Sequence, residues 1–348
     1  DYNAKDKMNK IAPPPLQKYV KQWQWFLRDA NWYPDFPTSA RQVIDFYNIE
    51  TSSDTDFAMV IAINPDLVEA VLDIVGPITI DGITFNSKNL VEQLEEQVGA
   101  VYKQKGLNIF NRKEIIAKLK GKLVERIGAM TVDQYKTLLT VLATAVREKS
   151  LLLYSPDKSL QNLIERAGYG GEIRESESDF LLVADANLGA LKTDPYVDRY
   201  VNYQLLPEQD RIKAKVTLTY KNNAKFTWKT TRYRDYVRLY VPLGSKLLTT
   251  EGLMDNDRTT KPGSPDSYEE IGKAQVFGGF VAIEPGETRS ISFEYQLPKK
   301  ILEDYKKGRY HLLYQKEPGA VHRITVTDGD KEVYAGDSKE DRIIYVKK

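Results

Sequence analysis

The residue best placed to do chemistry is Arg112. On a helix beginning at Asn111, steps of 100° set it on the stripe that carries Ile116, Leu119 and Leu123. An inward guanidinium beside the free N–H groups of a first helical turn is the arrangement that grips an oxyanion or a pyrophosphate. Residues 103 to 126 hold eight basic side chains against two acidic ones, so Lys103, Lys105 and Lys113 extend a positive neighbourhood. The competing reading is an arginine that snorkels at the domain edge and pairs with a carboxylate. Asp29 and Asp35 flank an aromatic loop, and two such carboxylates hold a hard divalent cation alongside phosphate oxygens. Solvated loop carboxylates are the alternative. Arg28 and Arg41 are candidates on the same terms, and Trp23, Trp25 and Trp32 either line an acyl or sugar groove or pack as core and rim.

Composition removes several chemistries. The 348 residues include no cysteine, which excludes disulfides, thiolate metal sites and cysteine nucleophiles. With only two histidines, His311 and His322, a histidine-based zinc site or a serine–histidine triad is not expected. Fifty basic against forty-nine acidic residues argue against nucleic acid as a partner. No P-loop, dinucleotide fingerprint or nucleophile elbow is present. Twenty-two tyrosines suit partly exposed sheet surface of the extracellular kind. No apolar run approaches the ~18 to 20 residues of a membrane span. The first residue is Asp1, and we expect a processed or truncated product whose membrane anchor lies upstream.

The elements that must position these residues change character along the chain. Residues 1–12 read as a polar tail. Pro13–Pro15 opens a helix with Leu16, Val20, Trp23 and Leu27 on one face, and Ser39 with Gln42 resembles a capping box for a helix through Tyr47. Phe57 to Ile63 reads as a buried strand, and Asn64-Pro65 starts a helix that Gly76 stops. Asp81-Gly82 makes a two-residue hairpin. Helices follow from Ser87 and Asn111, then from Thr131, capped through Gln134, and from Ser159, with a strand at Leu151–Tyr154. Beyond the Gly-rich and then charged stretch 168–178 the apolar period shifts from 3.6 to 2, as in Arg211–Tyr220, Tyr236–Val241 and Ser290–Tyr295. Met254 to Tyr268 reads as a long polar loop, mobile or partner-contacting. The expected fold is therefore α/β, a mixed sheet with flanking helices over residues 13–178, followed by an antiparallel β-sandwich over residues 179–348.

Asp29-Ala-Asn-Trp-Tyr-Pro-Asp-Phe-Pro, the segment Asp56–Ile80, and Asp185-Ala-Asn-Leu-Gly-Ala-Leu-Lys-Thr-Asp resemble the bacterial family called domain of unknown function 4012. Tyr236–Ser245 and Tyr314–Gly319 extend that resemblance into the β-rich half. It implies a membrane-anchored, outward-facing protein without an established activity. The first half is also distantly similar to the LytR–CpsA–Psr phosphotransferases, which move glycopolymers from polyprenyl-pyrophosphate carriers using arginines and a magnesium-binding aspartate. That likeness carries over Arg112 as catalytic, while Tyr102-Lys-Gln-Lys stands where the enzymes have arginines. Lysine lacks the planar fork that grips a pyrophosphate.

Three functions follow as expectations. The first is an extracytoplasmic, envelope-associated protein that binds a glycan, a lipid-linked glycan or a surface partner. The second is a Mg2+-dependent glycopolymer phosphotransferase with Arg112 and Asp35 catalytic, Asp29 and Asp35 on the metal, and Arg28, Arg41, Lys103, Lys105, Lys113 and Trp32 on the ligand. The third is a structural surface or appendage subunit.

Overall fold

The computed structural model describes residues 8–97, 114–189, 191–259 and 261–346. The chain forms two compact units. Met59–Gly170 is one, and the stretches up to Ala58 and from Gly171 onward make the other. The expected α/β domain over 13–178 is thus divided: its two ends, up to Ala58 and from Gly171, belong with the β-rich part. The reason is apolar burial, because Trp25, Phe26, Trp32 and Phe46 share a core with Leu188, Tyr236, Phe280 and Ala282.

The opening segment is no tail from residue 8 on. Met8 and Ala12 are buried, the Ala12 N–H donates to the Trp23 carbonyl at 2.9 Å, and the Trp25 N–H donates to the Lys10 carbonyl at 2.9 Å. The helix expected after Pro13–Pro15 shrinks to a five-residue π-type turn, Leu16–Val20, ended by Lys21 at φ 61°. Trp23 stands 70% exposed instead of sharing the buried side of Leu16. Helix α1 (Phe36–Thr51) begins before Ser39 because Asp35 caps it, with Pro37 in the first turn. Ser39 and Gln42 hold the preceding loop instead, donating to the carbonyls of Tyr33 and Ala30 at 2.8 and 2.7 Å.

Residues 59–170 contain β1 (Val60–Ile63), α2 (Pro65–Val75), β2 (Ile78–Ile80), β3 (Ile83–Phe85), α3 (Leu90–Glu96), α4 (Glu114–Gly128), α5 (Val132–Arg147), β4 (Leu151–Tyr154) and α6 (Lys158–Arg166). The hairpin turn forms at Asp81 and Gly82, both at positive φ. Thr131 and Gln134 make both bonds of the capping box that starts α5. Among the described residues these strands form only two-stranded antiparallel pairs, β1 with β4 and β2 with β3, rather than a mixed sheet. Strand β1 is not buried as expected: Ile61 and Ile63 are 58% and 54% exposed, since a two-stranded ribbon with one packed side leaves its other side open.

The remaining chain supplies β5 (Asp179–Ala184), β6 (Val197–Pro207), β7 (Ile212–Asn222), β8 (Tyr233–Pro242), β9 (Lys246–Glu251), β10 (Asp266–Glu270), β11 (Ala274–Ile283), β12 (Thr288–Gln296), α7 (Lys299–Lys306), β13 (His311–Gln315), β14 (Arg323–Asp328), β15 (Lys331–Asp337) and β16 (Arg342–Tyr345). They build two six-stranded sheets, ordered β10-β11-β8-β5-β13-β16 and β15-β14-β6-β7-β12-β9. Each sheet is mixed: β13 runs parallel to β5, and β14 parallel to β6. One core draws on both sheets, with Val216 and Leu218 of β7 beside Val237 and Leu239 of β8. Strand β7 alternates buried with half-buried positions, whereas β11 is buried throughout. The difference arises because the first sheet carries a second apolar layer, the 8–58 segment, on its other side.

The loop expected to be mobile after Met254 is tied down. The Gly263 N–H donates to the Leu253 carbonyl at 2.9 Å, Asp257 pairs with Arg232 at 2.9 Å, and residues 266–270 form β10.

Candidate functional site

The first sheet's outer side, with the segment laid over it, encloses a cleft of about 630 Å³. Its floor comes from β8 and β10, which present Tyr236, Asp266, Tyr268 and Glu270. Its walls come from Pro13–Pro15, Trp25, Trp32 and Tyr33. The paired glycines of β11 make this possible. A Cβ on Gly278 would meet the Tyr236 hydroxyl at 2.4 Å, so only glycine lets that phenol lie across the strand. A Cβ on Gly279 would strike Leu253 at 2.5 Å on the opposite side. Tyr19 stacks on Phe280 at 4.1 Å and anchors the segment above.

The polar groups of the cleft are pre-positioned. The Tyr236 hydroxyl donates to Asp266, and the Tyr240 hydroxyl donates to Glu270 Oε1 at 2.6 Å. Burial pushes the Glu270 carboxyl above its ordinary value, partly offset by the Tyr240 hydroxyl and the Arg238 guanidinium. Burial and the Asp266 carboxylate raise the Tyr236 phenol, which therefore stays a hydrogen-bond donor at all ordinary pH. Aromatic walls with a few fixed carboxylates and hydroxyls can take an uncharged polyhydroxyl compound, stacking its C–H faces and accepting its O–H groups.

Of the residues expected from the sequence, Trp25 and Trp32 line this cleft. Asp35 is buried and fully engaged: Oδ2 accepts from the Thr38 hydroxyl at 2.6 Å, and Oδ1 accepts from the Ile173 N–H at 2.9 Å. Arg41 donates to that same Thr38 hydroxyl at 3.0 Å. Asp29 Oδ2 accepts from the Gln22 amide at 2.6 Å and pairs with Arg28 at 3.2 Å. Both Asp35 oxygens and Asp29 Oδ2 are thus taken up by the protein's own donors. Arg112, Lys103, Lys105 and Lys113 lie outside the described residues.

Sequence reasoning missed Tyr236, Tyr268, Asp266 and Glu270 as site residues. The signal for the first was Gly278-Gly279 inside an otherwise apolar strand, which marks a close approach of another group. It also missed Asp185, Glu317 and His322, whose donor atoms lie within 4.8 Å of one another.

Comparison with known proteins narrows the family but not the activity. Residues 2–98 match the model of a family described as protein of unknown function, DUF4012. That stretch is similar to the DUF4012 family. It brings one wall of the cleft, from Ile11 to Tyr33, within the DUF4012 match. No curated protein matches the chain. Among solved structures, the crystal structure of a candidate nutrient-binding protein from Legionella pneumophila aligns at 10% identity with a TM-score of 0.23. The alignment covers 43% of this chain and about half, 53%, of that one, and at this score it carries no argument about fold or ligand.

Proposed function

We propose that this DUF4012 chain is an envelope-associated glycan-binding protein whose site is the aromatic cleft between β8, β10 and the Pro13–Tyr33 segment. The observation that carries the reading is the cleft itself: about 630 Å³, walled by Trp25, Trp32 and Tyr33, with Asp266 and Glu270 inside. A volume of that order suits one or two sugar rings or the glycan end of a lipid-linked saccharide. The two sheets, sharing one core, are read as a β-sandwich that serves as the rigid frame of the site. Exposure on the outer cell surface belongs to the same proposal.

Calorimetric titration of the whole chain against a panel of neutral and acidic oligosaccharides tests it. Saturable binding that Tyr268→Ala and Asp266→Asn both weaken supports the site. Silence across the panel, or binding indifferent to both changes, removes it. The phosphotransferase alternative rests on Arg112 and its basic neighbours, and nothing among the described residues adds to it.

A further inference from the structure

Strands β5 and β13 run parallel and adjacent in the first sheet, with Leu182 opposite Gln315. Their carboxyl ends therefore open side by side, and each is followed by an acid, Asp185 and Glu317. The crevice beyond the carboxyl ends of parallel strands is a recurrent ligand position. His322, one residue before β14, brings its ring to the same place: Nε2 lies 3.4 Å from Asp185 Oδ2. The side chains of His322 and Asp185 are 1% and 5% exposed.

The cluster gathers four carboxyl groups about two guanidiniums. Asp185, Asp235, Glu317 and, at the rim, Asp194 face the guanidiniums of Arg199 and Arg238. Two buried acceptor oxygens have no hydrogen-bond partner, Asp235 Oδ2 and Glu317 Oε2. Asp235 is fully buried, and its charged neighbours are Asp185, Arg199 and Glu317. An unpaired carboxyl oxygen in such surroundings is costly unless a proton or a cation satisfies it.

The outer contacts are those of a ligand set. The Tyr314 hydroxyl lies 3.0 Å from His322 Nδ1 and orients the ring so that Nε2 faces Asp185. Arg199 Nε at 2.9 Å and the Tyr220 hydroxyl at 2.8 Å orient the Asp185 carboxylate. Such secondary hydrogen bonds accompany metal-ligating imidazoles and carboxylates. We propose that Asp185, Glu317 and His322 bind one divalent cation of the zinc class, with Asp235 completing its charge balance. One imidazole with carboxylates favours that class over magnesium or calcium. Tetrahedral ligand bonds of about 2.1 Å set donors about 3.4 Å apart, so the widest pair closes by at most about 1.4 Å.

The test uses the untagged whole chain, stripped by chelator and titrated calorimetrically with zinc chloride and, separately, magnesium and calcium chloride. One equivalent of zinc should bind in the micromolar range or tighter, with magnesium and calcium far weaker. His322→Gln and Glu317→Gln should each weaken zinc by at least about tenfold while the circular dichroism stays native. Absence of stoichiometric zinc binding up to about 1 mM, or affinity unchanged in both variants, overturns the proposal. Should both variants unfold, His311→Gln decides, because it leaves His322 as the chain's one histidine. X-ray absorption of that protein loaded with zinc should show imidazole scattering, and a spectrum without it overturns the site.

Discussion

The guanidinium of Arg238 lies 4.3 Å from the centre of the Trp32 ring, linking β8 to the aromatic loop before α1. Both side chains are buried, and Arg238 Nε has no hydrogen-bond partner, so the ring face is a principal companion of this cation. Trp32→Ala should therefore remove both a large apolar volume and that companion. The expected loss is about 3 to 5 kcal/mol in urea unfolding of the β-rich unit, with Trp32→Phe costing distinctly less. A loss under about 1 kcal/mol would mean the indole is peripheral.

Asp35 ties two distant pieces of chain, capping α1 through Thr38 and accepting the Ile173 N–H. Asp35→Ala abandons a cap and leaves a buried N–H unpaired, for a combined cost of about 2 to 4 kcal/mol. Asp35→Asn keeps an acceptor oxygen and should recover most of it. The midpoint of denaturant unfolding, at unchanged slope, is the measurement.

Asp179 predicts a pH dependence with a definite sign. Burial pushes its carboxyl from the ordinary 3.8 up to about 6, against the hydroxyls of Tyr203 and Tyr310, which pull it down. The folded chain then holds this proton more tightly than the unfolded one. The group's contribution to stability is complete below about pH 4 and is lost as pH rises through about 6, a swing of about 3 kcal/mol. Asp179→Asn should flatten that part of the stability curve measured between about pH 4 and 7. An unaltered slope would place the titration elsewhere.

Glu270 gives the cleft its own pH response. Its carboxyl is held above the ordinary value, chiefly by burial, and only the ionised form accepts on both oxygens. Glycan affinity should rise as pH climbs through that elevated value. In Glu270→Gln the affinity should be pH-independent over the same range, as read by calorimetry at several pH values.

Local signals were legible where one interaction decides an element. Asp81-Gly82 specifies its turn through backbone sterics, and Thr131 with Gln134 specifies the start of α5 through two bonds. The strands from Tyr233 and Ala274 were harder. Tyr236–Val241 alternates well enough to be placed, but the near-continuous burial of β11 depends on a covering layer more than two hundred residues away in sequence. The same distance hid the cleft. Trp32 was a candidate from its type, yet its partners Arg238, Asp266 and Glu270 became neighbours only when residues 8–58 joined the β-rich unit. Asp35 misled for a related reason. Nothing near it in sequence announces that Ile173 will claim its second oxygen.

The β-rich unit is interrupted: its chain leaves after Ala58 and returns at Gly171. Both ends of the intervening piece meet one strand, since Val60 pairs with Tyr154 and the Leu153 N–H donates to the Tyr169 carbonyl at 2.8 Å. Once folded, that piece brings its entry and exit together and relieves its host of closing a very long loop by diffusion. Order of events then follows: the guest should acquire structure before its host can zip its first segment onto the finished sheets.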